Sequence, residues 1–183
     1  MKDTSAGLEQ GLVQVYTGDG KGKTSASMGL ALRAIGAGLR VLMVQFIKGR
    51  RTAELTSAER LSPQFEIVQA GRGFVHLGAR SESSYADSAE AALSALCLAW
   101  ERMESGDYDV IILDEINCAL TLGLLSVQDV LQIIEAKPEG VELVLTGRGA
   151  DPRIIEAADL VTEMREIKHP FRQGMAARRG IDF

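Results

Sequence analysis

The amino-acid sequence predicts an α/β fold with a mostly parallel central sheet that is flanked by helices on both faces. Short apolar runs typical of buried strands alternate along the chain with longer segments of helical periodicity. The first two apolar runs are separated by a segment long enough for a helix, and strands joined by such a crossover are parallel. Polar or glycine-rich clusters follow several of the runs, which is where parallel sheets bind ligands.

The apolar runs predict strands at Leu12–Tyr16, Arg40–Phe46, Phe65–Gln69, Val110–Leu113, Val141–Leu145 and Leu160–Met164. Helices are expected between them at Lys23–Ile35, Thr52–Arg60 and Tyr85–Glu104, then one capped by Ser126 and a short one opened by Asp151 and Pro152. Residues 70–84, rich in glycine, arginine and serine, are expected to form a long loop, and the remainder, Arg165–Phe183, is polar and basic.

Helical periodicity predicts the buried face of each long helix. The first helix is expected to bury Met28, Leu32 and Ile35. The long third helix is expected to bury Leu93, Leu96, Cys97, Trp100 and Met103, which places the tryptophan in the core rather than in a site. The helix that Ser126 caps, with Asp129 completing the cap, is expected to bury Val127, Val130, Leu131 and Ile134.

Composition predicts a single domain over residues 1–183, with a flexible polar segment at 1–10. The net charge of −5 argues against a nucleic-acid or anionic-membrane binder. The sequence shows neither a signal peptide nor an apolar run near the ~20 residues that span a bilayer. The two cysteines lack metal-binding spacing and two histidines are too few for a histidine-based metal site. A cytoplasmic protein with reduced thiols is therefore expected.

The most specific motif is a glycine-rich loop between the first strand and the first helix, Gly18-Asp19-Gly20-Lys21-Gly22-Lys23-Thr24. Glycines allow positive φ and bring backbone N–H groups close to phosphate oxygens, and the helix N-terminus favours negative charge. Lys23 is expected to reach the outer phosphates, Thr24 to ligate Mg²⁺ or Mn²⁺, and Ser25 to complete the nucleotide site. The loop has Thr17 where the common pattern has glycine. It indicates a P-loop nucleoside triphosphate site in a RecA-like fold; a glycine turn that caps a helix is the alternative.

An acidic pair, Asp114 and Glu115, follows the fourth apolar run. This is the form of a Walker B strand, in which Asp114 holds Mg²⁺ directly or through water. Glu115 has several open roles, since it can polarise water, hold the metal or contact the nucleotide sugar. A solvated strand end is the alternative for the pair.

Four further residues are candidates for ligand contacts. Arg148 lies in a Gly-Arg-Gly turn at a strand end, where it either touches phosphate or is solvated. Arg33 either contacts the nucleotide or forms a surface salt bridge. Phe74 and His76 lie in the long loop, where an aromatic ring among glycines suits a flat hydrophobic ligand or anchors the loop on the core.

Five motifs in order along residues 8–183 make the chain resemble a known family, the P-loop ATP:corrinoid adenosyltransferases, also called cob(I)alamin adenosyltransferases. The motifs are the loop Tyr16–Thr24, including its Thr17, and the segments Val44–Gly49, Leu113–Asn117, Thr146–Gly149 and Glu166–Asp182. The loop alone would not identify the family, but the five together are specific.

The resemblance implies transfer of the 5′-deoxyadenosyl group of ATP to the cobalt of a reduced corrinoid, with release of inorganic triphosphate, as in the cob(I)yrinic acid a,c-diamide adenosyltransferases. Cob(I) is the nucleophile at C5′, which agrees with the lack of a convincing catalytic Cys, Ser or His. Lys23, Arg148 and Glu115 are then the catalytic candidates, because charge develops on the leaving polyanion. The family also implies reversed ATP, a homodimer and an N-terminal segment that covers the site, and a flavoprotein is a candidate reductant.

The chain departs from the family in the loop after the third strand. The family commonly has Phe-x-Trp beneath the corrin ring, whereas this chain has Phe74-Val75-His76. Phe74 is expected to keep the lower face, and His76 to replace the Trp contact or approach cobalt. The stretch between Gly49 and Phe65 is also short for the family.

Two other functions stay open on the sequence. A P-loop ATPase or kinase, with Glu115 polarising water or an acceptor hydroxyl, would produce orthophosphate or ADP. A non-catalytic corrinoid- or ATP-binding module would bind without turnover.

Overall fold

A computed structural model describes residues 7–49, 51–71 and 82–182, and its centre is one six-stranded sheet. Every neighbouring pair of strands is parallel, in the order β3-β2-β4-β5-β1-β6. The strands are β1 Val13–Thr17, β2 Val41–Gln45, β3 Phe65–Gln69, β4 Val110–Asp114, β5 Glu142–Thr146 and β6 Leu160–Glu163. Each lies within about a residue of its predicted bounds, so the predicted parallel α/β fold is confirmed.

Helices cover both faces of the sheet. They are α1 Lys23–Gly36, α2 Ala53–Arg60, α3 Glu82–Glu104, α4 Ile116–Thr121, α5 Val127–Glu135 and α6 Pro152–Ala157, with a short 3₁₀ turn at Pro170–Gln173. Successive side chains of each strand point to opposite faces of the sheet, so there is one hydrophobic core on each face. One core is shared with α1 and α2, and the other is shared with the four remaining helices. None of the helices among the described residues is both long and apolar enough to cross a membrane.

Two of the helices differ from the prediction. The short helix α4 was not expected, because Glu115 opens it in a left-handed conformation (φ 65°) instead of as an ordinary cap. Helix α3 begins at Glu82, inside the segment 70–84 that was predicted to be a loop. The other four helices lie where the sequence placed them, and Ser126 and Asp129 form the predicted capping box.

The predicted buried faces of the long helices are partly wrong. Leu32 of α1 is 62% exposed, and Leu93 of α3 is 50% exposed. Small side chains take the predicted places against the sheet: Ser27, Ala31 and Ala34 in α1, and Ala92, Ala95 and Ala99 in α3. Because alanine lets a helix backbone approach the sheet closely, the larger side chains turn outward. In α3, Leu96 and Met103 are buried and Trp100 packs against the core, as expected. Cys97, which was expected to be buried, is exposed. In α5 the fully buried residues are Val130 and Ile133.

Candidate nucleotide site

The phosphate loop, Gly18–Thr24, joins the carboxyl end of β1 to the first turn of α1. Gly18 and Gly22 have φ of 92° and 125°, conformations that residues with a Cβ rarely adopt. The Lys23 ammonium folds back over the loop and donates to the carbonyl oxygens of Gly18 at 2.6 Å and Gly20 at 2.7 Å. The glycines therefore form the closed loop that the sequence predicted, with its lysine at the centre.

The loop is also held from outside by the chain that follows β6. The Gly20 N–H donates to the Met164 carbonyl at 2.7 Å, and a Cβ at Gly20 would meet the Arg165 carbonyl carbon at 2.7 Å. Lys21 forms an ion pair with Asp182 and donates to the Ile181 carbonyl at 3.2 Å. Close approach of this second chain segment is thus a further reason for glycine in the loop.

Asp114 is fully buried at the end of β4 and is hydrogen-bonded on both of its oxygens. Its Oδ1 accepts from the hydroxyls of Thr24 and Thr146, each at 2.8 Å. Its Oδ2 accepts from Gln45 Nε2 at 3.2 Å and lies 3.3 Å from Lys48 Nζ. Strand β5 lies between β4 and β1, and Thr146 at its end also accepts the N–H of Glu115, so it contacts both residues of the acidic pair.

Glu115 is held in a strained conformation beside this carboxylate. Its φ of 65° is unusual for a residue with a Cβ, and its N–H donates to Thr146 Oγ1 at 2.9 Å. Burial raises the pKa of the Glu115 carboxyl, and the charge of Asp114 raises it further against the opposing effect of nearby cations. Its Oε2 is buried without a hydrogen-bond partner among the described residues. A buried carboxylate oxygen of this kind can accept a hydrogen bond from a ligand or bind a metal ion.

The oxygens at this edge fit a divalent metal of the Mg²⁺ type. Magnesium prefers hard oxygen ligands from one or two carboxylates together with phosphate oxygens. Thr24 donates its proton to Asp114 and so keeps its oxygen lone pairs available, while Glu115 offers the unpartnered Oε2. The same residues fit Mn²⁺.

Two cationic side chains belong to this part of the molecule, Lys23 within the phosphate loop and Arg148 just after β5. Burial lowers the pKa of Lys23, and the charge of Arg148 lowers it further, whereas Cys118, Asp19 and Glu115 act in the opposite direction. Repulsion between two cations of this kind is relieved when an anion binds near them. Arg148 is exposed and so accessible to such an anion.

The other residues that the sequence predicted for the site do not contact the Asp114 cluster or lie outside the described residues. Asp19 and Ser25 are exposed on the loop and the first turn of α1. Arg33 is exposed in the last turn of α1, about 15 Å along the helix axis from Lys23, so the fold does not bring it to the loop. Phe74 and His76 lie outside the described residues.

Sequence reasoning did not assign four polar groups of the site: Gln45, Lys48, Glu54 and Thr146. Three of them stand at or just after strand ends, within motifs that already pointed to this edge, so position along the strands was an available signal. Glu54 lies in α2, where nothing in the local pattern distinguishes it from a solvated helix residue.

The comparisons with known proteins agree with this geometry. A family model described as "ATP:corrinoid adenosyltransferase BtuR/CobO/CobP" matches residues 9–183. The chain belongs to this family. Its relatives include the corrinoid adenosyltransferase of Pseudomonas aeruginosa, 39% identical over 176 residues that cover 96% of this chain and 85% of the relative. The corrinoid adenosyltransferase of Escherichia coli K12 is 34% identical over 177 residues, covering 96% of this chain and 87% of the relative.

Membership of the corrinoid adenosyltransferase family confirms the resemblance drawn from the five sequence motifs. A solved structure, the flagellar accessory protein FlaH from Methanocaldococcus jannaschii, has a TM-score of 0.54 and 15% identity, covering 87% of this chain and 73% of that one. At that identity the likeness shows the fold alone. In this adenosyltransferase-family chain, the phosphate loop and the Asp114–Glu115 pair therefore lie at the edge where the fold class binds ligands.

Proposed function

We propose that this chain transfers the 5′-deoxyadenosyl group of ATP to the cobalt of a reduced corrinoid and releases inorganic triphosphate. The observation that carries the proposal is the hydrogen bond between Thr24 and Asp114, which joins the phosphate loop to the carboxylate at the end of β4. The family match over residues 9–183 and the printed names of the relatives support the choice of reaction.

The residues of the site act on the leaving group. The cob(I) electron pair forms the cobalt–carbon bond at C5′, the C5′–O bond breaks, and its electron pair leaves on the triphosphate. Lys23 and Arg148 would stabilise this charge, and the N–H groups of the phosphate loop would add to the stabilisation. No protein nucleophile is required, because the corrinoid substrate supplies it.

Thr24 and Glu115 would hold the divalent metal, and Asp114 would orient Thr24. When bound, Mg²⁺ or Mn²⁺ neutralises negative charge on the triphosphate. Asp114 itself is already bonded on both oxygens, which favours an indirect contact with the metal. Glu115 carries a free oxygen and is the better candidate for a direct one.

Three further parts of the proposal come from the family resemblance. They are a homodimer, a Phe74 contact beneath the corrin ring, and a flavoprotein reductant. His76, which departs from the family pattern, would replace the Trp contact or approach cobalt. A cytoplasmic location and a single domain over residues 1–183 stay predictions.

The test is product analysis under anaerobic conditions with Mg-ATP and a chemically reduced corrinoid. The expected products are the light-sensitive adenosylcorrinoid and an equal amount of triphosphate. Lys23→Ala is expected to lose roughly a hundredfold or more in rate. Arg60→Ala, an exposed arginine at the end of α2, serves as the matched control and is expected to retain wild-type turnover. Orthophosphate without a cobalt–carbon product would contradict the proposal and favour an ATPase.

A further inference from the structure

Lys48 lies just beyond β2 and reaches into the nucleotide site from the side opposite the phosphate loop. Its Nζ is 2.9 Å from Glu54 Oε1 and 3.3 Å from Asp114 Oδ2. The side chains of Lys48 and Glu54 are only 19% and 12% exposed, and that of Asp114 is fully buried. One partly buried ammonium therefore bridges a carboxylate of α2 and the central carboxylate of β4.

The charges in this cluster depend on each other. Burial alone would lower the pKa of Lys48, but the charge of Asp114 and the hydrogen bond to Glu54 outweigh it, and the pKa is raised. Burial likewise acts to raise the pKa of Glu54, yet the hydrogen bond from Lys48 contributes to a net lowering. Removing the Lys48 ammonium would leave the fully buried carboxyl of Asp114 without the cation that faces its Oδ2.

Gln45 connects the charged cluster of Lys48, Glu54 and Asp114 to the sheet. Its Nε2 donates to Asp114 Oδ2 at 3.2 Å and lies 3.4 Å from Glu54 Oε1, while its own Oε1 accepts from Gln69 at 2.9 Å. The Oδ2 side of Asp114 is thus held by groups from β2, whereas its Oδ1 side is held by the hydroxyls of Thr24 and Thr146. The carboxyl plane is fixed from both sides and cannot rotate without breaking one set of bonds.

We propose that Lys48, held in place by Glu54, is a positioning residue of the metal–nucleotide site. It fixes the Asp114 carboxyl so that Oδ1 accepts from Thr24, which aims the hydroxyl oxygen of Thr24 at the divalent metal. Lys48 thereby sets the affinity for metal–ATP without forming part of the leaving-group site. The role rests on the proposed nucleotide site, but it concerns binding and does not depend on the corrinoid step.

The experiment measures Mn²⁺-ATP binding to the full chain by electron paramagnetic resonance, with no corrinoid present. Lys48→Met removes the charge at similar side-chain length and is expected to weaken Mn²⁺-ATP binding roughly tenfold to a hundredfold, as for loss of a charged hydrogen bond. Lys48→Arg is expected to restore most of it. Glu54→Gln is expected to weaken binding by a smaller factor.

The matched control is Lys137→Met. Lys137 is another partly buried lysine, but it donates to the carbonyl oxygens of Gly11, Pro138 and Val141 at the opposite end of the sheet. Its loss is expected to lower the unfolding temperature and leave Mn²⁺-ATP affinity unchanged, which separates positioning from general stability.

Combining Lys48→Met with Glu54→Gln tests whether the two residues act as one unit. The loss in the double variant is expected to be smaller than the product of the single losses. Wild-type affinity in Lys48→Met, or fully independent effects of the two changes, would overturn the proposal. If Lys48→Met does not fold, unchanged affinity in Glu54→Gln overturns it. A wild-type chain that binds Mn²⁺-ATP but forms no adenosylcorrinoid would instead count against the proposed function.

Discussion

Replacement of Gly20 by alanine tests whether the phosphate loop depends on the chain that follows β6. A Cβ at this position would lie 2.7 Å from both the Met164 carbonyl oxygen and the Arg165 carbonyl carbon, where real Cβ contacts lie beyond about 3.4 Å. Both obstacles are backbone, so the segments must separate by several tenths of an ångström. Overpacking costs about 1–3 kcal/mol, and loss of the Gly20–Met164 hydrogen bond adds about 0.5–1.5 kcal/mol. We expect a loss of about 2–4 kcal/mol in the free energy of unfolding.

The assay is thermal unfolding together with ATP titration of Gly20→Ala. For a domain of this size the expected destabilisation lowers Tm by about 5–15 °C, and ATP binding weakens because the loop is displaced. Gly29→Ala is the matched control, since Gly29 lies inside α1 with open space around its Cβ position. It is expected to raise stability by up to about 1 kcal/mol through helix propensity. If Gly20→Ala were as stable as the wild type and bound ATP equally well, the inferred contact would be refuted.

The remaining predictions concern charges around the same loop. Asp182→Asn removes the charge paired with Lys21, so the loop loses an anchor and the KM for ATP is expected to rise severalfold; an unchanged KM at low ionic strength would contradict this. Because burial raises the pKa of Glu115, the folded state holds a proton that the unfolded state releases between the ordinary and the raised pKa. Stability is therefore lost as pH rises through that window. Glu115→Gln is expected to raise Tm at pH 8 more than at pH 4 while abolishing turnover, and an equal change in Tm at both pH values would argue against the shift.

Local sequence patterns determined the elements of this protein and the core of its site. The phosphate loop is contiguous, so its glycines, Lys23 and Thr24 identify it before any packing is known. Asp114 and Glu115 end a fully apolar strand, and parallel strands bring such ends to one edge. The central strands β2, β4 and β5 were predictable because burial on both faces leaves a mostly apolar run, whereas β1 and the edge strands β3 and β6 are shorter apolar signals with exposed or half-buried positions.

Only the tertiary structure decided how helices meet the sheet. The periodicity of α1 and α3 points to large apolar residues, but alanines face the sheet and Leu32 and Leu93 face outward. How closely a helix approaches the sheet depends on which of its side chains are small enough to let the helix backbone come near. A hydrophobicity pattern does not contain that information. Helix α4 was missed because the residue that precedes it, Glu115, takes a left-handed conformation that its surroundings impose.

The partners of the site residues were also settled by tertiary structure. Thr24 meets Asp114 across 90 residues, and Lys21 meets Asp182 across 161. Lys48 and Glu54 are close in sequence, yet the contact of Lys48 with Asp114 exists only because β2 lies next to β4. Sequence determines which groups stand at the end of each strand, because that depends on local propensity and burial. Strand order and crossover connections decide which of those ends become neighbours, because that depends on packing the whole sheet at once.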